Sequence, residues 1–117
     1  DSWIWYPQYK MDTKRGVFGF VHGYSSKAHT ALKHHAHHLV QGHHHSELYS
    51  VGHYDPKMKM VQQAMQVGCL IDDKSAAFGY NKTTARRPAI GSGVIYKGQA
   101  MAIPMPMDKK GRWTGKL

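Results

Sequence analysis

The chain has 117 residues, 41% hydrophobic and 20% charged, the make-up of one folded domain and not of a disordered chain. No apolar run approaches the about 20 residues of a membrane-spanning helix, and a single cysteine, Cys69, excludes an internal disulfide framework or a cysteine-based zinc site. Sixteen Lys and Arg against seven Asp and Glu give a formal charge of +9, with ten histidines besides. That balance suits a polyanionic partner, nucleic acid or a phosphorylated substrate, and equally a plain basic surface. Asp1 to Trp5 lack the basic start and apolar stretch of a signal peptide, so a reducing, cytoplasmic setting is expected.

In chain order, residues 1–16 read as an N-terminal arm, a loop or edge segment ending in Lys14-Arg15-Gly16. Val17-Phe18-Gly19-Phe20-Val21 is a short run of β-formers and predicts a buried strand. Ser25 and Ser26 offer helix caps, and Ala28, Ala31, Leu32, Ala36 and Leu39 recur at helical spacing, so a helix is predicted over Lys27 to His38. Leu39-Val40-Gln41 predicts a second strand, stopped by Gly42. Strand, helix, strand is a β-α-β unit, so the two strands are expected to be parallel. Farther on, Glu47 to Tyr54 predicts a strand, Asp55-Pro56-Lys57 a turn, Gln62 to Val67 a strand, and Asp72 to Ala85 a loop or short helix. Gly93 to Tyr96 and Gln99 to Ile103 flank Lys97-Gly98 and predict a β-hairpin. Residues 107–117 read as a basic tail, frayed or docking.

The histidines fall into groups. Gly42-His43-His44-His45 follows a predicted strand end, where open α/β sheets place their ligands. In an extended turn His43 and His45 face one side and His44 the other, and Gly42 is expected to let the backbone turn tightly. His22-Gly23 has the same context at the end of the neighbouring strand. Imidazole is a good ligand for zinc, iron and manganese-class ions, so His22, His43 and His45 form a candidate metal constellation. His29, His34, His35, His37 and His38 fall on the predicted helix and read as a solvated face, although His34 and His38 have a chelating spacing. His53 and Asp55 are candidates for a carboxylate–imidazole pair. Cys69 and the methionines read as core, and there is no phosphate-binding Gly-Lys-Ser/Thr loop or Gly-x-Ser-x-Gly elbow.

Val21-His22-Gly23, a helix, and then Val40-Gln41-Gly42-His43-His44-His45-Ser46 resemble the C-terminal half of the calcineurin-like metallophosphoesterases. Gln66-Val67-Gly68-Cys69-Leu70-Ile71-Asp72, Ala77-Phe78-Gly79-Tyr80 and Arg87-Pro88-Ala89-Ile90-Gly91-Ser92-Gly93-Val94 look like a bacteriophage-type branch, and the resemblance spans about residues 17–106. It implies an α/β fold, half of a metallophosphoesterase-like β-sandwich, with a mixed sheet, one main helix and a C-terminal hairpin. It also implies hydrolysis of phosphomonoesters or phosphodiesters at a two-metal site of manganese, iron or zinc. By resemblance His22 and His43 would ligate one metal and His45 the other. His44 would point away or toward substrate, with Gly42 and Gly23 supporting the turns.

The family's N-terminal motifs, Asp-x-His, Gly-Asp and Gly-Asn-His, do not occur in this sequence, and no spacing assigns Asp12, Asp55, Asp72 or Asp73 to their place. The resemblance therefore implies a partner, a separately encoded N-terminal half, or self-association that covers the open sheet face. Trp3, Ile4, Trp5 and Trp113 are the chain's own candidates for that cover. The alternatives are a non-catalytic remnant that assembles or binds nucleic acid through its charge, and a mononuclear three-histidine site.

Overall fold

The computed structural model describes residues 4, 6–70 and 88–116. Trp3, Trp5, Asp72, Asp73 and the segment 71–87, with its expected loop or short helix, lie outside the described residues. Among the described residues the architecture is mixed α/β: a five-stranded sheet of order β1-β2-β3-β5-β4, a two-stranded sheet β6-β7, and one short helix. The strands are β1 (Gln8–Thr13), β2 (Gly16–Val21), β3 (His38–Gln41), β4 (Tyr49–Asp55), β5 (Met60–Gln66), β6 (Gly91–Tyr96) and β7 (Gln99–Pro104). β2, β3 and β5 run parallel in the centre, and β1 and β4 close the edges antiparallel. The expected parallel pairing of the first two buried strands is observed, with Val21 opposite Gln41. The arm expected before residue 17 contains edge strand β1.

Strand alternation divides the interior into two layers. On one face Phe18, Val40 and Met65 pack with Ala100 of the hairpin. On the other, Leu39 and Ala64 pack with Ala28 and Leu32 of the helical segment. The hairpin turn Lys97-Gly98 has φ of 50° and 77°, both left-handed, as a two-residue turn matched to strand twist requires. The hairpin thus covers the sheet face for which the terminal aromatic residues were candidates. Ile4 and Trp113 stay exposed. The tail is drawn into a small closed turn. Met107 bridges to Trp113, and Asp108 accepts from the amides of Lys110 and Arg112 at 2.8 and 2.9 Å. These amides hold the exposed Asp108 carboxyl below its usual range.

The helix is much shorter than its spacing predicts. α1 spans Ala28–Ala31, a 3-10 turn follows over Leu32–His34, and the chain is extended by His35. The face of five histidines therefore does not exist. His38 belongs to β3 and is buried, 1% exposed. Its Nδ1 accepts from the Gln63 amide at 2.9 Å and its Nε2–H donates to the Arg15 carbonyl at 2.8 Å. The backbone thus fixes one neutral tautomer, and the ring stacks on Phe18 at 4.5 Å. The physical reason is competition. Burial of Leu39 and Val40 between two layers extends the chain from His38 onward, against a helical periodicity that no capping side chain supports.

Polar side chains on β5 finish the termini that the short helix leaves open. Gln62 Nε2 donates to the carbonyls of Leu32, His35 and His37 at 3.3, 2.8 and 2.8 Å. Gln63 faces the other layer, donating to Gly98 O and accepting from Ala100 N, both at 2.8 Å. Gln63→Ala removes both bonds and leaves a buried carbonyl and amide unpaired. It is expected to cost about 2–4 kcal/mol in urea unfolding and to lower amide-exchange protection in β7. An unchanged unfolding midpoint would contradict this role.

His37 packs its ring over Gly19, where an added Cβ would lie 2.3 Å from Nε2. Its Nε2 is buried without a hydrogen-bond partner among the described residues. Burial, then the charges of Lys10, His35 and His38, hold its pKa below the ordinary 6.5. The neutral ring is favoured in the fold, so the unfolded chain binds more protons at mildly acidic pH. Its contribution to stability is present above pH 6.5 and is lost as pH falls below that value. His37→Leu should flatten the slope of unfolding free energy against pH on the acid side of neutrality. An equal slope in variant and parent would refute the assignment.

Candidate metal site

Parallel pairing of β2 and β3 brings their C-terminal ends side by side; His22 directly follows β2, and His43 follows β3 after Gly42. Gly42 N–H donates back to Val21 O at 3.4 Å, which carries the β2–β3 pairing one step past the sheet. The result is that His22 Nε2 and His43 Nδ1 stand 3.0 Å apart, their rings edge to face at 5.0 Å. Both residues are exposed. Coordinating nitrogens around a tetrahedral ion, each about 2.0–2.1 Å from it, sit about 3.3 Å from each other. The 3.0 Å contact is near that spacing, but it is a hydrogen bond in which one ring nitrogen donates to the other, so an ion held by both would displace the shared proton.

The turn that presents His43 is strained, and not where the sequence suggests. His43 itself takes φ of 69°, while Gly42 does not lie in the left-handed region. His44 N–H donates to Gly42 O at 2.9 Å, closing a three-residue turn around a non-glycine residue at positive φ, an uncommon and costly geometry. Gly42 is thus not demanded by the turn; a Cβ there would meet only His22 O at 3.6 Å. Gly23 is demanded twice. Its φ is 88°, and a Cβ would lie 2.5 Å from the Gln41 side chain.

Two glutamines that the motif reading passes over hold this geometry. Gln66 Nε2 donates to Gly42 O at 2.5 Å and to Gln41 O at 3.1 Å, while its Oε1 accepts from Ala28 N at 3.1 Å. Gln41 Nε2 donates to Ser26 O at 2.6 Å. Both glutamines are 0–2% exposed. Their signal in the sequence is a polar residue at a position where strand alternation requires burial, as at Gln62, Gln63 and Gln66 of β5.

The other members of the set are placed as follows. The His44 ring lies edge to face with His43 at 5.2 Å, and among the described residues its buried Nε2 has no hydrogen-bond partner. His45 O accepts from Ala89 N at 2.7 Å, anchoring the turn beside the Cys69–Ile90 bridge. Loss of water around the ring, then the imidazoles of His22, His44 and His45, hold the His43 pKa below its ordinary value. That favours the neutral form that metals bind. The structure brings His22 and His43 together. Among the described residues it does not gather three or more His, Cys, Asp or Glu side chains into one ligand group. His53 and Asp55 share a face of β4, and the Asp55 carboxylate caps the following turn through the amides of Lys57 and Met58 at 2.8 and 3.3 Å. No helix among the described residues is long and apolar enough to cross a membrane.

Added Mn²⁺ is expected to broaden the ring resonances of His22 and His43 first. His43→Ala should weaken that binding by about 10-fold or more. Broadening spread evenly over all ten histidines would remove the site. In comparisons with known proteins, no family model, no curated protein and no solved structure matches the chain.

Proposed function

We propose that the chain is the C-terminal portion of a metal-dependent phosphoesterase acting on phosphomonoesters or phosphodiesters, completed by a separate N-terminal half. One observation carries this reading. Two imidazole nitrogens meet at 3.0 Å at the ends of adjacent parallel strands, one of them on a strained turn. Strain of that kind concentrates at functional sites, because surrounding structure must be spent to hold it. The order His22, then Gly42-His43-His44-His45, is the order that the resemblance to calcineurin-like metallophosphoesterases requires.

In this reading His22 Nε2 and His43 Nδ1 hold one divalent ion, manganese, iron or zinc, and His45 serves the second. The bound metals would clamp the phosphate and lower the pKa of an attacking water. The chain's own contribution is positioning. Gln66 fixes the turn through Gly42 O, and Gly23 leaves room for Gln41 to brace the His22 turn. The excess of cationic side chains, +9 in all, raises the local concentration of phosphorylated substrate. The acids that bridge two metals come from the complementary half.

Native mass spectrometry after addition of Mn²⁺ tests this directly. The expected species is a complex with an acid-bearing polypeptide and two metal ions. That complex should hydrolyse p-nitrophenyl phosphate or its diester, about 100-fold more slowly when His43 is replaced by Ala. A metal-free homo-oligomer would overturn the reading and assign the chain to assembly. Tight, salt-sensitive binding of oligonucleotide without metal would assign it to nucleic-acid binding.

A further inference from the structure

The sheet face that carries the helix holds a second opening, distinct in every lining residue from the His22–His43 pair. His29, Lys33 and His35 form one wall, from the helical segment and the residue after it. His53 of β4 and Lys57 of the following turn form the other, with Asp55 between them. Its volume is about 530 Å³, within the size of small-molecule sites, about 300–1,000 Å³. Three histidines and two lysines thus line the cavity together with one carboxylate residue. The Asp55 carboxylate is engaged with the turn amides of Lys57 and Met58.

The walls are held in place before any ligand arrives. Gln62 forms the floor and ties the carbonyls of Leu32, His35 and His37 to β5. His29 Nδ1 is bonded to the Tyr49 hydroxyl at 2.7 Å, with the rings 5.5 Å apart. The nearby charges Lys27 and Glu47 are paired with each other. Leu32, Tyr54 and Pro56 add apolar surface at the margin. An open cationic recess with apolar surface at its margin suits a small anion that carries a flat or apolar body.

We propose that this cavity binds a small phosphate-bearing molecule, with Lys33 and Lys57 meeting its charge and His29, His35 and His53 donating to its oxygens. Ammonium and imidazole N–H groups are strong donors to phosphate. Two walls from different elements explain why the sequence shows no phosphate motif. The site rests on no metal and on neither member of the His22–His43 pair, so it stands or falls separately from the phosphoesterase reading.

The test uses the full chain at pH 6.0 and constant ionic strength, with imidazole resonances followed as inorganic phosphate and then adenosine monophosphate are added. The result expected is saturable shifts of His29, His35 and His53 with one common Kd, tighter for the nucleotide. The double variant Lys33→Gln/Lys57→Gln, at two exposed positions, should raise that Kd at least about 10-fold with an unchanged thermal midpoint. His53→Ala supplies an independent second variant with the same expectation. Shifts that rise linearly without saturation, shifts confined to His22 and His43, or a Kd indifferent to both variants would overturn the proposal. So would binding of a single-stranded oligonucleotide that neither phosphate nor the nucleotide displaces.

Discussion

Three amide side chains on one central strand carry the polar load of this interior. Gln62, Gln63 and Gln66 lie on β5, each 0–6% exposed, and each reaches a different part of the chain. A primary amide offers donors and an acceptor without charge, so it can be buried at small cost only when both ends are satisfied. Gln62 closes the end of the helical segment, Gln63 docks the hairpin as though it were part of a ladder, and Gln66 joins the start of α1 to the ends of β3. Hydrophobic contact alone would let two thin layers slide on the sheet. The amides set their register, because any slip leaves buried carbonyls and amides unpaired.

The same constraint reaches the candidate site. The turn at His43 stores backbone strain, and a strained turn at an exposed strand end relaxes unless something holds it. Gln66 holds it through Gly42 O, and Gln66 is itself buried between the sheet and α1. The geometry of two exposed histidines is thus set by a fully buried residue one strand away. Core and site are one mechanical unit here.

The histidines divide by environment more than by position. His38 is a core residue whose two nitrogens are both spent on backbone groups. His37 is packed over Gly19 and held neutral by burial. His22 and His43 meet in the open, their ring nitrogens hydrogen-bonded to each other. His29, His35 and His53 converge from two elements on one cavity. Equal residue types between positions 22 and 53 thus stand in core, packed and exposed surroundings.

Much of this was legible from local pattern. The β-rich runs at 17–21 and 39–41, their parallel pairing, the turn at Asp55-Pro56-Lys57 and the Lys97-Gly98 hairpin all follow from short runs of β-formers, strand–helix–strand order and turn chemistry. So does the juxtaposition of His22 with His43, since parallel neighbours end on the same side. The length of the helix was not legible. The apolar spacing from Ala28 to Leu39 satisfies a helix, and only burial of Leu39 and Val40 on opposite sheet faces makes it a strand from His38 onward. Nor was the strain at His43 legible, because Gly42 is the residue that local rules would bend. By itself the sequence determined that the first two buried strands pair, that the last two form a hairpin and which histidines lie at strand ends, because those depend on neighbours along the chain. Tertiary structure decided the buried glutamine contacts, the fate of His37 and His38 and the second cavity. Each depends on which distant backbone group needs a partner.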